Sequence, residues 1–218
     1  MVIDNSISII IVTAQSFNPS IFTETWLDRH KIISVDSLDG PRVSTPQAAV
    51  FQTKEVALAI EPSKMQVSFS THKTDSDFDT SLKIPLRIVE LLPHTPYLAL
   101  GLNFNVFVKP PEGQDFLSYN KSLLGTGDYK LLREFSVEDA RFGRYFSKDY
   151  GEARLKLDIK PVKAGPENKD MIAFLFNFHF EVSEVDVSER WKKLVEYIGN
   201  WNSFREYATS LVEVGAKL

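Results

Sequence analysis

Residues 170–183 read DMIAFLFNFHFEVS, and this alternation of side-chain types is the strongest structural signal in the chain. Large apolar side chains occupy every second position: Ile172, Phe174, Phe176, Phe178, Phe180 and Val182. The positions between them include Asn177, His179 and Glu181. Because successive side chains of a strand point to opposite faces, the pattern predicts a β-strand with one buried face and one partly hydrated face.

Two other segments alternate in the same way. Residues 97–109 carry apolar side chains at every even position, with Asn103 and Asn105 on the opposite face. Residues 152–160 carry apolar side chains at every odd position and charged ones, including Arg154, between them. Since antiparallel sheets commonly keep one face in water, the three segments predict antiparallel strands.

Weaker alternation predicts six further strands, at residues 6–13, 48–53, 55–61, 64–70, 129–135 and 141–147. Pro62 and Ser63 predict a hairpin turn between the third and fourth of these strands. The segment 161–166, which contains two prolines and a glycine, is predicted to be a loop.

Capping residues and prolines predict five helices, at residues 19–30, 85–92, 115–124, 188–198 and from residue 203 onward. The acidic stretch 71–80 contains Asp75, Asp77 and Asp79 in alternation, as a calcium-binding loop does. It lacks the glycine and the final glutamate that such a loop needs, so we expect a solvated loop there.

These elements predict an α+β fold in which a large antiparallel sheet is covered on one face by helices. A gapless shift of 74 residues aligns 101–125 with 175–199, and Asn103 then matches Asn177 among four identities. This alignment predicts two related halves, residues 1–96 and 97–218, which could also form one continuous domain. The alternative is that the two segments are unrelated and look alike only because any two strand–helix units do.

The composition excludes several classes of protein. The 218 residues include 25 Lys and Arg against 29 Asp and Glu, so the net charge is 25 − 29 = −4, and there is no cysteine. Disulfide scaffolds, thiol nucleophiles and cysteine metal sites are therefore excluded, and the mild acidity argues against nucleic-acid binding. No apolar run approaches the roughly 20 residues that cross a bilayer, so we expect a cytoplasmic protein without membrane contact.

The motifs of common catalytic and cofactor sites are absent from the sequence. It contains no phosphate-binding loop, no dinucleotide-binding glycine pattern and no nucleophile elbow. The four histidines, His30, His72, His94 and His179, do not have the helical spacing of a metal pair. The sequence thus predicts no cofactor, no metal and no catalytic residue, and it leans against an enzyme.

One polar sheet face is a candidate ligand site. A hairpin with Leu157 opposite Phe174 would place Arg154 opposite Asn177 and Glu152 opposite His179. The predicted ligand-binding residues of this face are Asn103, Asn105, Glu152, Arg154, Asn177 and His179. Together they could bind an anion or a polar peptide, or support acid–base chemistry; the alternative is a water-exposed face or a polar seam.

A short motif resembles a known family. Residues 100–105, LGLNFN, resemble a Gly-Leu-x-aromatic strand pattern of a family of sporadically distributed, uncharacterised prokaryotic proteins. Leu157-Asp158-Ile159 and the predicted helices after Ser188 stand where that family has similar elements. The chain differs in having Asn103 where a basic residue is expected. The resemblance implies an α+β architecture and carries no activity.

The function expected from these observations is that of a non-enzymatic module that binds or assembles with a protein or peptide partner. An enzyme or a sensor of a small polar or anionic ligand, using the Arg154, Asn177 and His179 face, is the alternative. Nucleic-acid binding ranks third, because no basic surface is evident in the sequence. A homo-oligomer is compatible with either of the first two.

Overall fold

The computed structural model describes residues 2–70, 75–127, 134–135, 137–165 and 167–215. Nine strands form one antiparallel sheet: β1 Val2–Ala14, β2 Leu38–Ser44, β3 Ala49–Thr53, β4 Val56–Glu61, β5 Lys64–Ser70, β6 Tyr97–Lys109, β7 Arg144–Tyr150, β8 Ala153–Ala164 and β9 Lys169–Glu181. Their order across the sheet is β2-β3-β4-β5-β1-β6-β9-β8-β7. The three strands predicted from strong alternation are thus β6, β8 and β9, and they are neighbours.

Five α-helices accompany the sheet in the described part of the chain: α1 Glu24–Arg29, α2 Asp75–Leu91, α3 Phe116–Leu124, α4 Val187–Gly199 and α5 Trp201–Gly215. Helix α5 contacts β6 and β9, α4 contacts β6, α3 contacts β9 and α2 contacts β5. The predicted α+β class, with helices packed on one face of an antiparallel sheet, is confirmed.

Aromatic side chains fill the layer between sheet and helices. The four phenylalanines of β9 expose no more than 2% of their surface: Phe174, Phe176, Phe178 and Phe180. The ring of Trp201, at the start of α5, lies 5.6 Å from that of Phe69 on β5 and 5.5 Å from that of Phe104 on β6. The phenylalanine row is therefore core, as its period predicted.

The other face of the sheet carries half-buried side chains. Ile7, Ile9 and Ile11 of β1 alternate with buried residues, and Ile9 lies opposite Asn103 of β6. Asn103 in turn lies opposite Asn177 of β9. The two segments related by the shift of 74 residues are therefore antiparallel neighbours. The internal repeat and the division at residues 96 and 97 stay predictions.

Two predicted loops are wrong in this structure. Strand β8 continues through the segment 161–166 as far as Ala164, and Pro161 pairs with Ile172. The pairing of β7 with β8 begins with Arg144 opposite Ile159. Because no described strand pairs with β8 on that side beyond Ile159, the missing N–H of Pro161 costs no ladder hydrogen bond. The acidic loop predicted at 71–80 is in part the first turns of α2; residues 71–74 lie outside the described residues.

Helix boundaries also differ from prediction. Pro85 lies inside α2 instead of opening it, because buried residues on both sides of it, such as Leu82 and Ile88, anchor the helix to the core. The helix predicted at 19–30 is split into a single 3₁₀ turn and α1, which Thr23 caps. Helix α5 begins at Trp201, before the predicted capping box.

Strand β2 was not predicted, and β7 begins three residues after the predicted start at residue 141. Other elements follow the prediction more closely. Helix α3 has Asp115 as its N-cap and Gly125 as its C-cap, and the hairpin at Ser63 joins β4 to β5. The strand predicted at 129–135 falls largely outside the described residues, and its described end, Glu134 and Phe135, is not extended.

Candidate functional site

The centre of the predicted polar face is a pair of carboxamides. Asn177 Nδ2 donates a hydrogen bond of 2.7 Å to Asn103 Oδ1. Asn103 Nδ2 donates to the backbone carbonyls of Ile9, at 3.0 Å, and Gly101, at 3.3 Å. These bonds link the three central strands β1, β6 and β9, and they use both amide hydrogens of Asn103 within the sheet.

The predicted register between β8 and β9 is wrong by two residues. Arg154 lies opposite His179, and Asn177 lies opposite Lys156. The pairing extends to Ala164 opposite Lys169, and this short connection sets the register. Because a shift of two residues leaves each side chain on its own face, Arg154, Asn177 and His179 still share a face with the β6 asparagines.

Glu152 does not face His179 as predicted. It lies in the turn between β7 and β8, where the Tyr197 hydroxyl donates to its Oε2 at 2.6 Å and Lys193 Nζ is 3.5 Å from its Oε1. The Tyr197 hydrogen bond is the main cause that lowers the pKa of Glu152, and burial raises the pKa of Tyr197. Glu152 therefore links this turn to α4, and it does not belong to the polar face that was predicted to contain it.

The charged groups of the polar face have partners nearby. Arg154 forms an ion pair of 2.9 Å with Asp149 of β7. His179 Nε2 lies 3.8 Å from Glu181 Oε2 on its own strand. Asn105 lies apart from these groups and lines a cleft of about 630 Å³ beside α5. The described residues contain no group of three or more histidine, aspartate and glutamate side chains arranged to hold a metal.

The outer edge of β7 has a different character. Within the part of the chain that the structure describes, β7 pairs only with β8, so its other edge has no strand beside it. Tyr145 is 62% exposed and Phe146 is 48% exposed. All seven residues of β7 pair in register with β8, so no bulge interrupts this edge.

The edge strand at the opposite end of the sheet, β2, is irregular. Strand β2 contains Pro41 after Gly40, whose φ of +138° few other residues adopt. Its pairing with β3 shifts register between Leu38 and Arg42. Prolines and bulges are the usual devices that keep an edge strand from pairing with another chain. By this criterion β2 is protected and β7 is open.

The backbone groups that β7 presents outward follow from its turn. Tyr150 and Ala153 flank the two residues Gly151 and Glu152, so they form the closing hydrogen-bonded pair of the hairpin. Alternate residues then bond to β8, and Tyr145, Ser147 and Asp149 direct N–H and C=O groups to the free edge. The Ser147 hydroxyl donates to the Leu155 carbonyl at 3.2 Å, which shows that this carbonyl points toward β7.

An apolar groove of about 320 Å³ runs beside β7 on the helix side of the sheet. Phe146 lines it from β7, and Val214, which is 65% exposed, lines it from α5. The other apolar lining residues are Leu123, Leu124, Leu155, Leu157, Ile159, Phe174 and Leu211. The groove and the free edge therefore lie side by side.

This edge and groove were not predicted from the sequence. The pattern of residues 141–147 predicted a strand there without a functional role. The available signal was the adjacent pair Tyr145 and Phe146, because consecutive aromatic residues in a strand place one ring on each face of the sheet. That the strand lies at an edge could not be read from the local pattern.

No model of a known protein family matches this chain, and no curated protein matches it. None of the described helices combines the length and the apolar character needed to cross a membrane.

Proposed function

We propose that this protein is a binding module that accepts an extended segment of a partner protein as a tenth strand along β7. In such strand addition, main-chain hydrogen bonds supply affinity and pockets for alternate side chains supply specificity. The observation that carries the proposal is the combination of an unpaired edge without a bulge and an apolar groove directly beside it in the described part of the chain.

The geometry of the edge defines what can bind. An added strand would lie about 4.8 Å from β7, and its alternate side chains would point to the helix side of the sheet. There the side chain opposite Phe146 would enter the groove between α3 and α5. Strand β7 has seven residues, and the backbone groups of three of them, Tyr145, Ser147 and Asp149, face outward. A bound segment of similar length can form hydrogen bonds with these three residues.

The exposure of the two aromatic side chains supports the same function. Tyr145 and Phe146 flank the free edge, one on each face of the sheet, so a strand added there would pass between two exposed rings. Tyr145 would contact the partner from the open face of the sheet, and Phe146 from the groove side. Burying both rings against a partner would remove apolar surface from water on each side of the added strand.

The proposal can be tested with peptides selected for binding to the purified protein from a random library displayed on phage. Replacing Ser147 with proline removes an N–H that points to the free edge and, with it, the hydroxyl bond to Leu155, but leaves the backbone hydrogen bonds to β8 in place. We expect S147P to bind the selected peptides about tenfold more weakly, as the loss of one hydrogen bond of about 1.4 kcal/mol implies.

The matched control is Ser147→Ala, which removes the hydroxyl and its bond to Leu155 but keeps the N–H. We expect S147A to bind as the wild type does. A second pair separates the groove from the general surface: Val214→Arg blocks the groove, whereas Val187→Arg changes an exposed valine elsewhere. Selected peptides that bind S147P and V214R as tightly as the wild type would refute the proposed site.

A further inference from the structure

We infer, on the basis of the proposed function, that the segment accepted by β7 is acidic, with a carboxylate two residues before and two residues after a large apolar residue. The apolar residue would enter the groove opposite Phe146. The two carboxylates would lie on the same side of the added strand, opposite Arg144 and Lys148.

The hairpin formed by β7 and β8 is locally cationic. Residues 144–164 contain six Lys and Arg against three Asp and Glu, so their net charge is 6 − 3 = +3. The whole chain has a net charge of −4, so the other residues sum to −4 − 3 = −7. The free edge is therefore a positive strip on an acidic protein, which favours an oppositely charged partner.

The cations closest to the free edge are held by neutral groups. Arg144 donates through Nε to the Leu124 carbonyl and through its second terminal nitrogen to the Thr126 carbonyl. Lys148 Nζ donates to the Tyr207 hydroxyl at 2.6 Å. Among the described residues, no carboxylate lies within 4.0 Å of either cation.

Two of the four cations on β8, farther from the edge, are neutralised within the hairpin. Arg154 pairs with Asp149 at 2.9 Å, and Lys160 pairs with Asp158 at 2.6 Å. Among the described residues, Lys156 and Lys163 of β8 form no ion pair, so uncompensated charge lies at Arg144 and Lys148 beside the free edge and also on β8. A partner carboxylate beside the edge would form an ion pair like those of Arg154 and Lys160.

The positions of these cations define the spacing. Arg144 and Lys148 lie two residues on either side of Phe146, on the same face of β7. In an added strand, residues opposite these three positions are also two apart. Because the arrangement is symmetric about Phe146, the same pattern results for a parallel and for an antiparallel segment.

A second copy of this chain fits the edge poorly in the register that lets the two Phe146 side chains face each other. Antiparallel pairing of two β7 strands with Phe146 opposite Phe146 would place Arg144 opposite Lys148 at both ends. Like charges directly opposite each other destabilise a strand pair. It would also bring together two hairpins that each carry a net charge of +3. An acidic partner segment avoids both costs.

The test uses three synthetic peptides with the cores Glu-Thr-Phe-Thr-Glu, Lys-Thr-Phe-Thr-Lys and Thr-Glu-Phe-Glu-Thr, with binding measured by calorimetry. The first matches the inferred spacing, the second reverses its charge, and the third moves the carboxylates to the other side of the strand. We expect the first peptide to bind about tenfold more tightly than either control, and less tightly at high salt.

Charge exchange provides a sharper comparison. Lys148→Glu should weaken the binding of the first peptide and strengthen the binding of the lysine peptide. The control is Lys160→Glu, at a cation already paired with Asp158, which should change the affinity for either peptide less. Equal binding of all three peptides, together with weaker binding to S147P, would refute the acidic pattern and leave the strand-addition function standing.

Other outcomes also count against the inference. It fails if the acidic peptide does not bind the wild-type protein. It also fails if the phage selection yields no peptide and a single-stranded oligonucleotide displaces the acidic peptide, because the positive strip would then bind nucleic acid. It also fails if the protein is a dimer in solution that S147P dissociates, because the edge would then serve a second copy.

Discussion

A single guanidinium joins three segments at one end of the sheet. Arg190 of α4 donates to the backbone carbonyls of Val185, at 2.8 Å, of Tyr97, at 2.9 Å, and of Ser183. We expect Arg190→Ala to lower the free energy of unfolding by about 2–3 kcal/mol, because three carbonyls lose a charged donor. Arg190→Lys should recover only part of this, since a lysine lacks the planar fork. Urea denaturation measures both effects.

The neighbouring cation Lys192 is the control for this prediction. It forms an exposed ion pair of 2.8 Å with Glu189 one turn earlier in α4. Exposed pairs of this kind contribute little, so Lys192→Ala should change stability by less than about 0.5 kcal/mol. An equally small effect of Arg190→Ala would show that its three contacts do not hold α4 to the sheet.

At the level of one element, the free edge of β7 predicts an alternating pattern of hydrogen exchange. The amides of Phe146 and Lys148 face β8 and should exchange slowly, whereas those of Tyr145 and Ser147 face the free edge and should exchange fast. In the central strand β6, which pairs on both sides, consecutive amides should all be slow. Exchange followed residue by residue with NMR measures this contrast.

Slow exchange at Ser147 would contradict the open edge, because some other chain or segment would then have to cover it. The same experiment in the presence of an excess of a selected peptide extends the prediction. Tyr145, Ser147 and Asp149 should become protected, since an added strand accepts hydrogen bonds from alternate residues of β7. Protection confined to other strands would place the peptide elsewhere.

For the whole molecule, the shared core predicts a single cooperative unfolding transition. Strand β1 pairs with both β5 and β6, and Trp201 packs between Phe69 and Phe104, so the segments before and after residue 96 share one sheet and one aromatic cluster. Circular dichroism and tryptophan fluorescence should therefore give coincident denaturation curves. Two separated transitions would instead support two independent halves.

Trp201→Ala tests the same coupling by mutation. The side chain is fully buried, so we expect a loss of about 3–5 kcal/mol, with unfolding still in one transition. Trp191, a partly buried tryptophan of α4, is the matched control, and its replacement by alanine should lower the free energy of unfolding by less. A variant in which only residues 97–218 lose structure would contradict a shared core.

The alternation of residues 97–109 and 170–183 was sufficient to predict strands β6 and β9, the buried side of each and the α+β class. This succeeded because side-chain direction along a strand depends only on neighbouring residues, and long runs leave few alternatives. The same reasoning placed Asn103, Asn177 and His179 on one face, where the structure also has them.

Register, strand order and the open edge at β7 depend on contacts between residues distant in the chain, and the three-dimensional structure was needed to find them. Extending β8 through Pro161 moved Arg154 opposite His179 and left Glu152 bonded to Tyr197 of α4. A strand's own residues do not show whether one partner or two will lie beside it, since backbone hydrogen bonding is the same for every side chain. The proposed binding edge therefore arises from where β7 lies in the sheet.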